Sequence, residues 1–378
     1  MVALFPVVAI PLVAVVSASA RSCIQPGHGT ITLEEHWALP GGDPSIISPV
    51  SPPLGKASQL KNLPRVANDI KLGHTVEELQ ADMEDIHNQR LKAMDAYNID
   101  YMVLSLRSPG IQGIPDPVEA VSKAYEANNL LASLVSNNTR RFGAFAALPM
   151  HNASKAAEEL RRTVEDLGFL GGLINDYQQG PSNSTLFYDG PDYDAFWETV
   201  AELGVPIYFH PRGNIPAIFD LLYKDAPWLG GAVQEFATTL SNHILRLCAN
   251  GVFDRFPTAQ VAVGHMGERL PSDFYRIDST FDNWKATVGL PMKRKLSDYW
   301  QSNIHQTSSG DFSTPLFRFH RELLGIGRIL FSVDYPFESI VEANEWVDSL
   351  SGILSRDELR AFKKGNAMEL LKLDECEK

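Results

Sequence analysis

The sequence has few cysteines, no basic cluster and no repeat, and each absence excludes a class of protein. Three cysteines in 378 residues cannot form the disulfide framework of a small secreted scaffold. The formal net charge is −13 and no Lys- or Arg-rich run occurs, which argues against nucleic acid as a partner. No low-complexity block and no internal repeat of fixed period is present. With 44% hydrophobic and 21% charged residues, the composition is that of an ordinary soluble globular protein.

A long uninterrupted apolar run is also missing, although the chain begins with an apolar segment. The first twenty residues, MVALFPVVAIPLVAVVSASA, end in the small-residue pattern of a signal-peptide cleavage site, but no Lys or Arg precedes them. A membrane anchor is the alternative, yet the run is broken by Pro6 and Pro11 and is shorter than the about 20 apolar residues that span a bilayer. We therefore predict a cleaved signal peptide over residues 1–20 and a secreted protein without a stable membrane anchor.

Two further features bear on secretion. Three N-x-Ser/Thr sequons are compatible with a glycosylated secreted protein, and they begin at Asn137, Asn152 and Asn183. Cys23 and Cys376 lie near the two ends of the mature chain, and the sequence leaves open whether they form a disulfide bond. Cys248 lies in a helical pattern, NHILRLCANG, that is typical of a buried thiol.

Short apolar runs alternate with amphipathic helical patterns over most of the chain. Helical spacing is clear in PVEAVSKAYEANNLLASLVS, ASKAAEELRRTVEDLG and DAFWETVAELG. The apolar runs predict eight strands, near residues 30–36, 101–106, 143–148, 171–175, 205–210, 260–265, 303–307 and 328–334.

Eight strands that alternate with helices predict an α/β protein with a (β/α)8 TIM barrel. An open doubly wound sheet is the alternative. Residues 40–73, rich in Pro, Gly and Ser, are expected to form an insertion after the first strand. Residues 21–378 are expected to make up this single domain.

Polar residues gather where the predicted strands end, which is where barrel enzymes hold their catalytic groups. The first strand ends in LEEHW, in which Glu34 and His36 face one side and Glu35 the other. His210 follows the fifth strand, and His265 and Glu268 follow the sixth. Asp334 follows the eighth strand in FSVDYPFE. Each residue alone is typical of a structural contact or a turn, but together they predict a metal site. Mixed nitrogen and oxygen donors favour Zn²⁺, with Mn²⁺ as the alternative.

Four longer motifs carry a family resemblance. LEEHWALP, YDGPDYDAFWETVAELGVPIYFHPR, VGHMGERLPSDFYRID and ILFSVDYPFES resemble the metal-dependent aromatic acid decarboxylases of the amidohydrolase superfamily. That group includes the 2,3-dihydroxybenzoate and γ-resorcylate (2,6-dihydroxybenzoate) decarboxylases. The resemblance runs from about residue 29 to residue 371 and implies an amidohydrolase-like barrel, which agrees with the strand pattern.

The resemblance also implies roles for individual residues. It makes Glu34, His36, His210 and Asp334 the ligands of one divalent metal ion, and it leaves Glu35 to a structural contact.

A second group of residues corresponds to positions that contact the substrate. His265 and Glu268 correspond to a pair that lies against the substrate. Arg276 corresponds to an arginine thought to help bind the substrate, although an ion pair with Asp273 or Asp278 is the structural alternative. Phe337 corresponds to an aromatic residue that packs on the substrate ring.

The activity that the resemblance implies is non-oxidative decarboxylation of a hydroxybenzoate to a phenol and CO₂, without an organic cofactor. Asp334 or His265 would donate the proton to the ring carbon, and we favour Asp334, with His265 and Glu268 polarising the phenol. The alternative is a metal-dependent hydrolase of the same superfamily, such as a lactonase. Against it, the first strand has Glu-x-His instead of His-x-His, and Asn175 and Asp176 replace a strand-four lysine. A non-catalytic binding protein is a third possibility. The resemblance further implies a homo-oligomer, either a dimer or a tetramer.

Overall fold

Eight barrel strands follow one another in the computed structural model, which describes residues 23–24, 26–41 and 76–377. The strands are β2 (Thr30–Trp37), β3 (Ile99–Leu106), the pair β4 (Phe142–Ala144) and β5 (Ala146–Ala147), β6 (Gly172–Asn175), β9 (Ile207–His210), β10 (Val261–Val263), β11 (Ile304–Thr307) and β12 (Ile329–Leu330). Every strand predicted from the sequence is present, and the (β/α)8 barrel is confirmed. The predicted signal peptide over residues 1–20 lies outside the described residues, as does the 40–73 insertion beyond residue 41.

Short strands outside the barrel are β1 (Cys23–Ile24), β7 (Gln178–Gln179), β8 (Thr185–Leu186) and β13 (Asp374–Glu375). The helices are α1 (Val76–Glu84), α2 (Gln89–Ala96), α3 (Pro117–Ser136), α4 (Ala153–Glu165), α5 (Asp194–Leu203), α6 (Pro216–Tyr223), α7 (Glu235–Ala249), α8 (Val252–Arg255), α9 (Phe274–Val288), α10 (Leu296–Ser302), α11 (Thr314–Leu324), α12 (Ile340–Ser349), α13 (Arg356–Arg360) and α14 (Asn366–Leu371), with a π-helical turn at Ala361–Gly365. In the part of the chain that the structure describes, no helix is both long and apolar enough to cross a membrane.

The helices begin and end where local chemistry allows it. Asp116 caps α3 by accepting hydrogen bonds from the backbone N–H groups of Val118 and Glu119. Asn152 caps α4 in the same way. Gly204 ends α5 in the left-handed conformation, with φ +60°. All three helical patterns predicted from the sequence are therefore helices.

The strands pair in parallel in two runs. One run is β2-β3-β4 and the other is β5-β6-β9-β10-β11-β12. The third barrel strand joins them, because β4 pairs with β3 whereas β5 pairs with β6. On the far side β12 and β2 share no ladder, and side-chain hydrogen bonds close the barrel together with one backbone hydrogen bond, from His36 N–H to the Tyr335 carbonyl. The Ser332 hydroxyl accepts hydrogen bonds from the N–H groups of Leu33 and Glu34, at 3.0 and 2.8 Å.

Alternation along each strand separates an inner core from an outer one. Tyr208 packs inside the barrel, whereas Phe209 packs against the helices. Leu173 and Ile174 on β6 divide in the same way. Because successive side chains face opposite sides, His210 and Asn175 at the ends of these strands point towards the barrel axis.

The first barrel strand departs from this regular alternation at one point. Thr32 pairs with Met102 but Glu35 pairs with Leu104, so β2 has one extra residue between the two pairs. This is a β-bulge, which reverses the faces of all later residues. Ile31 therefore packs in the inner core, as does Leu33, whereas Trp37 packs in the outer one. The bulge turns the even-numbered residues Glu34 and His36 into the barrel.

The two ends of the described chain meet below the barrel. β1 pairs in parallel with β13, and Cys23 forms a disulfide bond with Cys376. The question that the sequence left open is therefore answered, and Cys248 is a buried free thiol as expected. The assignment of residues 21–378 to a single domain stays a prediction.

Candidate metal centre

Four buried side chains, three on barrel strands β2 and β9 and one on the segment that follows β12, converge at the carboxyl end of the barrel. Each offers one ligand atom, and these atoms all lie within 4.8 Å of one another; the residues are Glu34, His36, His210 and Asp334. His36 Nε2 lies 2.9 Å from Asp334 Oδ1, and His210 Nε2 lies 3.4 Å from Glu34 Oε1. The structure thus brings together the four residues that the sequence predicted as metal ligands. Two carboxylates and two imidazoles are a donor set that suits a divalent transition-metal ion.

The two oxygens of the Glu34 carboxylate have different surroundings. Oε2 accepts hydrogen bonds from the hydroxyls of Tyr208 and Thr307, the second at 3.2 Å. Oε1 is buried and has no hydrogen-bond partner. Burial raises the pKa of Glu34 above its ordinary value, since an ionised carboxylate is costly in this enclosed position. An oxygen held in place without a partner is what a cation in the cluster would bind, so the donor set fits a metal ion.

Asn175 fixes the orientation of the His210 ring. His210 Nδ1 lies 3.1 Å from Asn175 Oδ1, which can only accept a hydrogen bond. The proton therefore resides on Nδ1, and Nε2 keeps its lone pair for the cluster. Burial, followed by the charges of His36 and His265, lowers the pKa of His210 well below its ordinary value. A neutral imidazole with a fixed tautomer is ready to act as a ligand.

His265 and Glu268 form a second pair beside the four ligands. His265 Nδ1 lies 2.7 Å from Glu268 Oε1, and Nε2 faces Glu34 Oε1 at 3.5 Å and Asp334 Oδ2 at 3.6 Å. Burial alone would lower the pKa of His265, but the carboxylates of Glu34, Glu268 and Asp334 outweigh it and raise the pKa well above its ordinary value. His265 is therefore a cation held among carboxylates.

The ionisation of Asp334 complements that of His265. Burial would raise the pKa of Asp334, but hydrogen bonds from His265 and His36 outweigh this effect and lower the pKa well below its ordinary value. The opposite directions of the two pKa shifts favour an ionised aspartate next to a protonated histidine.

A left-handed turn presents the His265/Glu268 pair. Residues 265–269 all have positive φ, from +49° at His265 to +74° at Gly267. This conformation costs about 1–2 kcal/mol for each residue that is not glycine. Such strain persists where the surroundings over-determine the backbone, and it clusters at functional sites.

The two predicted substrate-contacting residues lie in different places. The Phe337 ring packs edge-on against the His36 ring, with 5.4 Å between centroids. Arg276 lies on an exposed face of α9, and no hydrogen bond or ion pair among the described residues joins its side chain to the metal cluster. The alternative of an ion pair with Asp278 is not seen either, because Asp278 is buried and accepts from Leu296 N–H. The role of Arg276 in substrate binding stays a prediction.

Four residues that support the metal ligands were not predicted from the sequence. They are Tyr208 and Thr307, which bind Glu34, Gly264, which leaves space for it, and Asn175, which binds His210. The signal for Tyr208 was present, because it lies two residues before His210 on one strand and so faces the same side. Gly264 directly precedes His265, at the start of the left-handed turn. In the structure, a Cβ atom at Gly264 would lie 2.7 Å from both Glu34 carboxylate oxygens. Only glycine leaves room for the carboxylate there.

The chain is similar to several known proteins. The sequence profile of the amidohydrolase family matches residues 61–373. A γ-resorcylate decarboxylase from Rhizobium sp. (strain MTP-10005) is 40% identical over 347 residues, which cover 92% of this chain and 99% of that protein. The crystal structure of a 2,6-dihydroxybenzoate decarboxylase from Rhizobium superposes with a TM-score of 0.80 at 38% identity, covering 92% of this chain and 99% of the other. A dihydroxybenzoic acid decarboxylase from Polaromonas sp. JS666, solved with bound manganese and the inhibitor 2-nitroresorcinol, gives 0.79 at 37% identity and covers 91% and 97%.

Proposed function

This chain belongs to the amidohydrolase family, and we propose that it is a metal-dependent decarboxylase that converts a hydroxybenzoate to the corresponding phenol and CO₂. The observation that carries the proposal is the buried cluster of Glu34, His36, His210 and Asp334 with the charged His265 beside it. Decarboxylation needs a Lewis acid and a proton donor next to each other, and the cluster with His265 can provide both.

The proposed reaction uses the proton shared by Asp334 and His265. Glu34, His36, His210 and Asp334 would hold a divalent ion, which would supply Lewis acidity to the bound substrate. His265 gives its proton to the ionised Asp334, and Asp334 passes that proton to the ring carbon that bears the carboxylate. The C–C bond then breaks, its electrons restore the aromatic ring, and CO₂ leaves. Proton donation of this kind typically contributes about 10²–10⁴-fold to the rate.

His265 is the source of this proton. Its Nε2 lies 3.6 Å from Asp334 Oδ2, and its raised pKa keeps it protonated at neutral pH. Glu268 holds the other ring nitrogen at 2.7 Å and so keeps Nε2 facing the aspartate. The pair also polarises the phenol, and Phe337 supports the substrate ring at the mouth of the site.

We propose 2,6-dihydroxybenzoate as the substrate and Mn²⁺ as the metal. Both the Rhizobium and the Polaromonas proteins are named for dihydroxybenzoates, and the second was solved with manganese. The sequence favoured Zn²⁺ with Mn²⁺ as the alternative. Two carboxylates among four ligands shift the preference towards Mn²⁺, because carboxylates suit harder ions.

The test is a decarboxylation assay on purified protein whose metal content is measured in parallel. Dihydroxybenzoates with a hydroxyl next to the carboxylate are compared with 4-hydroxybenzoate, which lacks that hydroxyl and serves as the negative control. We expect release of CO₂ and phenol from 2,6-dihydroxybenzoate, loss of activity with a chelator, and recovery on addition of Mn²⁺. Metal-loaded protein that releases no CO₂ but hydrolyses lactones would instead establish the hydrolase alternative.

We also propose that the protein is exported. The apolar N-terminal segment, the exposed sequons at Asn137, Asn152 and Asn183, and the Cys23–Cys376 disulfide support this, since disulfides persist in oxidising compartments. Expression in a eukaryotic secretory host should give protein in the medium that begins near Arg21 and loses mass on deglycosylation. Full-length unglycosylated protein retained in the cells would contradict export.

A homo-oligomer, either a dimer or a tetramer, is part of the same proposal. Exposed apolar side chains support it, among them Leu221, Trp228, Tyr275 and Val288. Light scattering after size-exclusion chromatography should give a mass of two or four chains. A single-chain mass at micromolar concentration would contradict it.

A further inference from the structure

We propose that Glu35, the second carboxylate of LEEHW, is a positioning residue that holds the backbone of Asp334 in the conformation the metal centre requires. The inference deepens the proposed function, because Asp334 is both a metal ligand and the proton donor in that proposal. Glu35 itself contacts neither the other three ligands nor His265 through any hydrogen bond of the described residues.

The contacts of Glu35 bracket Asp334. Glu35 is fully buried, and its Oε1 accepts hydrogen bonds from Val333 N–H at 3.0 Å and the Ser332 hydroxyl at 2.9 Å. Its Oε2 accepts a hydrogen bond from Tyr335 N–H at 3.0 Å. One carboxylate therefore binds the N–H groups of the residues immediately before and after Asp334.

These hydrogen bonds take the place of the backbone ladder that β12 and β2 do not form. The ladder of β12 ends at Leu330, so the backbone from Ser332 to Tyr335 has no neighbouring strand to pair with fully. Buried N–H groups must nevertheless be satisfied. Glu35 supplies the acceptors from β2, and His36 N–H adds a hydrogen bond to the Tyr335 carbonyl at 2.8 Å. The strand that bears Glu34 and His36 is thereby joined to the segment that bears Asp334.

The conformation held in this way is an uncommon one. Asp334 has φ +80°, a region that residues with a side chain rarely adopt and keep only where their surroundings enforce it. A regular extended residue here would turn the Asp334 side chain away from His36. We infer that the two hydrogen bonds on either side of Asp334 are what enforce the turn.

A buried arginine also contacts both β2 and the segment that carries Asp334. The Arg90 guanidinium donates a hydrogen bond to the His36 carbonyl at 2.6 Å, and it stacks over the Tyr335 ring at 4.7 Å. Arg90 is itself fully buried, and the nearby Glu35 carboxylate offsets its charge. Glu35 and Arg90 therefore both bind where β2 meets the segment that carries Asp334, and these contacts restrict the backbone of the metal ligands.

The decisive variant is Glu35→Gln, which keeps the shape of the side chain. Glutamine has one acceptor oxygen, and its NH₂ group can only donate. One of the N–H groups flanking Asp334 would then face another donor, and the turn would be disturbed without loss of volume. We expect the dissociation constant of Mn²⁺, measured by competition with a chromophoric chelator, to rise at least about tenfold. At saturating Mn²⁺ we expect kcat to fall at least about tenfold while KM changes little.

Asp278→Asn is the matched control. Asp278 is a buried carboxylate that accepts hydrogen bonds from Leu296 N–H and the Ser297 hydroxyl, both at 2.6 Å, in the helical layer. The two variants lose the same chemistry, but only one lies beside Asp334. We expect Asp278→Asn to lower the unfolding temperature and to leave Mn²⁺ affinity and kcat unchanged.

The outcomes separate positioning from general stabilisation. If Glu35→Gln lowers the unfolding temperature but binds Mn²⁺ and turns over as the wild type does, the proposal is wrong. If Glu35→Gln does not fold, Glu35→Asp is measured by the same criteria, because its shorter arm keeps both oxygens but cannot reach both peptide groups. Mn²⁺ affinity does not depend on turnover, so an inactive wild type would defeat the proposed function and still leave Glu35 testable.

Discussion

Replacement of Tyr208 by phenylalanine should weaken metal binding although Tyr208 is not a ligand. Its hydroxyl donates a hydrogen bond to Glu34 Oε2, which leaves Oε1 facing the other ligand atoms. A hydrogen bond to a charged group contributes about 1.5–3 kcal/mol, which corresponds to roughly 10–150-fold in an equilibrium constant. Thr307 reduces the expected effect. Its hydroxyl lies 2.6 Å from the Tyr208 hydroxyl and 3.2 Å from Glu34 Oε2, so it can turn its hydrogen towards the carboxylate. We therefore expect the Mn²⁺ dissociation constant of Tyr208→Phe to rise by roughly tenfold.

The assay is equilibrium competition for Mn²⁺ between the metal-free protein and a fluorescent chelator. Tyr208→Phe/Thr307→Val removes both donors and should weaken binding by roughly 100-fold. Tyr101→Phe is the control, since Tyr101 is another buried tyrosine of the inner core but lies on β3, outside the Glu34 network. A Tyr208→Phe affinity within about twofold of the wild type would refute the reasoning, because Glu34 would then need no hydroxyl to orient it. Equal effects in the single and double variants would refute the compensation by Thr307.

Four further predictions follow from individual contacts. Asp334→Asn should lower kcat by about 10²-fold or more and reduce bound Mn²⁺, and normal values of both in a combined turnover and metal assay would remove both proposed roles of Asp334. Arg328 donates a hydrogen bond to His305 Nε2, and burial together with the charge of Arg328 lowers the pKa of His305 to about 3. The folded protein therefore binds fewer protons than the unfolded chain below about pH 6.5, and about 2 kcal/mol of its free energy of unfolding is lost by pH 5. In urea unfolding, His305→Gln should lose less stability than the wild type between pH 7 and pH 5. An equal loss in the two proteins would show that His305 is not the cause. Lys372→Gly should raise the free energy of unfolding by about 0.5–1 kcal/mol, because Lys372 ends α14 with φ +53° and is exposed, and a decrease would show that its side-chain contacts matter more than its backbone. Addition of Mn²⁺ to metal-free protein near pH 7 in weak buffer should release on the order of one proton per ion, because burial raises the pKa of Glu34 and this carboxyl must ionise to bind the ion. A titration without proton release would show that Glu34 is already ionised in the metal-free protein.

Hydrophobic periodicity predicted the barrel correctly, but it could not show where ladders stop. Residues 328–334 read as one apolar strand, whereas the ladder covers only Ile329 and Leu330. The segment beyond Leu330 is buried on both sides and apolar in pattern, so it resembles a strand. The N–H groups of Val333 and Tyr335 are nevertheless satisfied by the Glu35 carboxylate, and that of Ser332 by the Ser308 hydroxyl, instead of by β2. Only the three-dimensional structure distinguishes the two kinds of partner.

The metal cluster was predicted from residue type and strand position, but its support was not. The bulge in β2 arises from its pairing with β3, and the residues of LEEHW give no pattern from which a bulge could be predicted. The argument that Glu34 and His36 share a face remained valid because both follow the extra residue. The disulfide was left open for a similar reason, since two cysteines 353 residues apart give no sign that the chain ends meet. Asn175 was noted only as a replacement for lysine, because its bond to His210 joins neighbouring strands.

The electrostatics of the centre explain why one site can bind a cation and store a proton. Glu34, Glu268 and Asp334 bring three carboxylates into a buried space, and protonated His265 is the cation that the protein itself provides there. The excess negative charge raises the pKa of His265, and burial raises that of Glu34. Bound protons therefore neutralise part of the negative charge that a divalent ion would otherwise neutralise. Metal binding and protonation are therefore competing ways to balance the same charge. A bound ion would lower the proton affinity of its four ligands most, because it would lie closest to them. Glu268 would still bind the other ring nitrogen of His265 and favour the protonated form of that histidine. This leaves His265 as the group best able to remain protonated beside a metal ion, which is the condition that proton delivery through Asp334 requires.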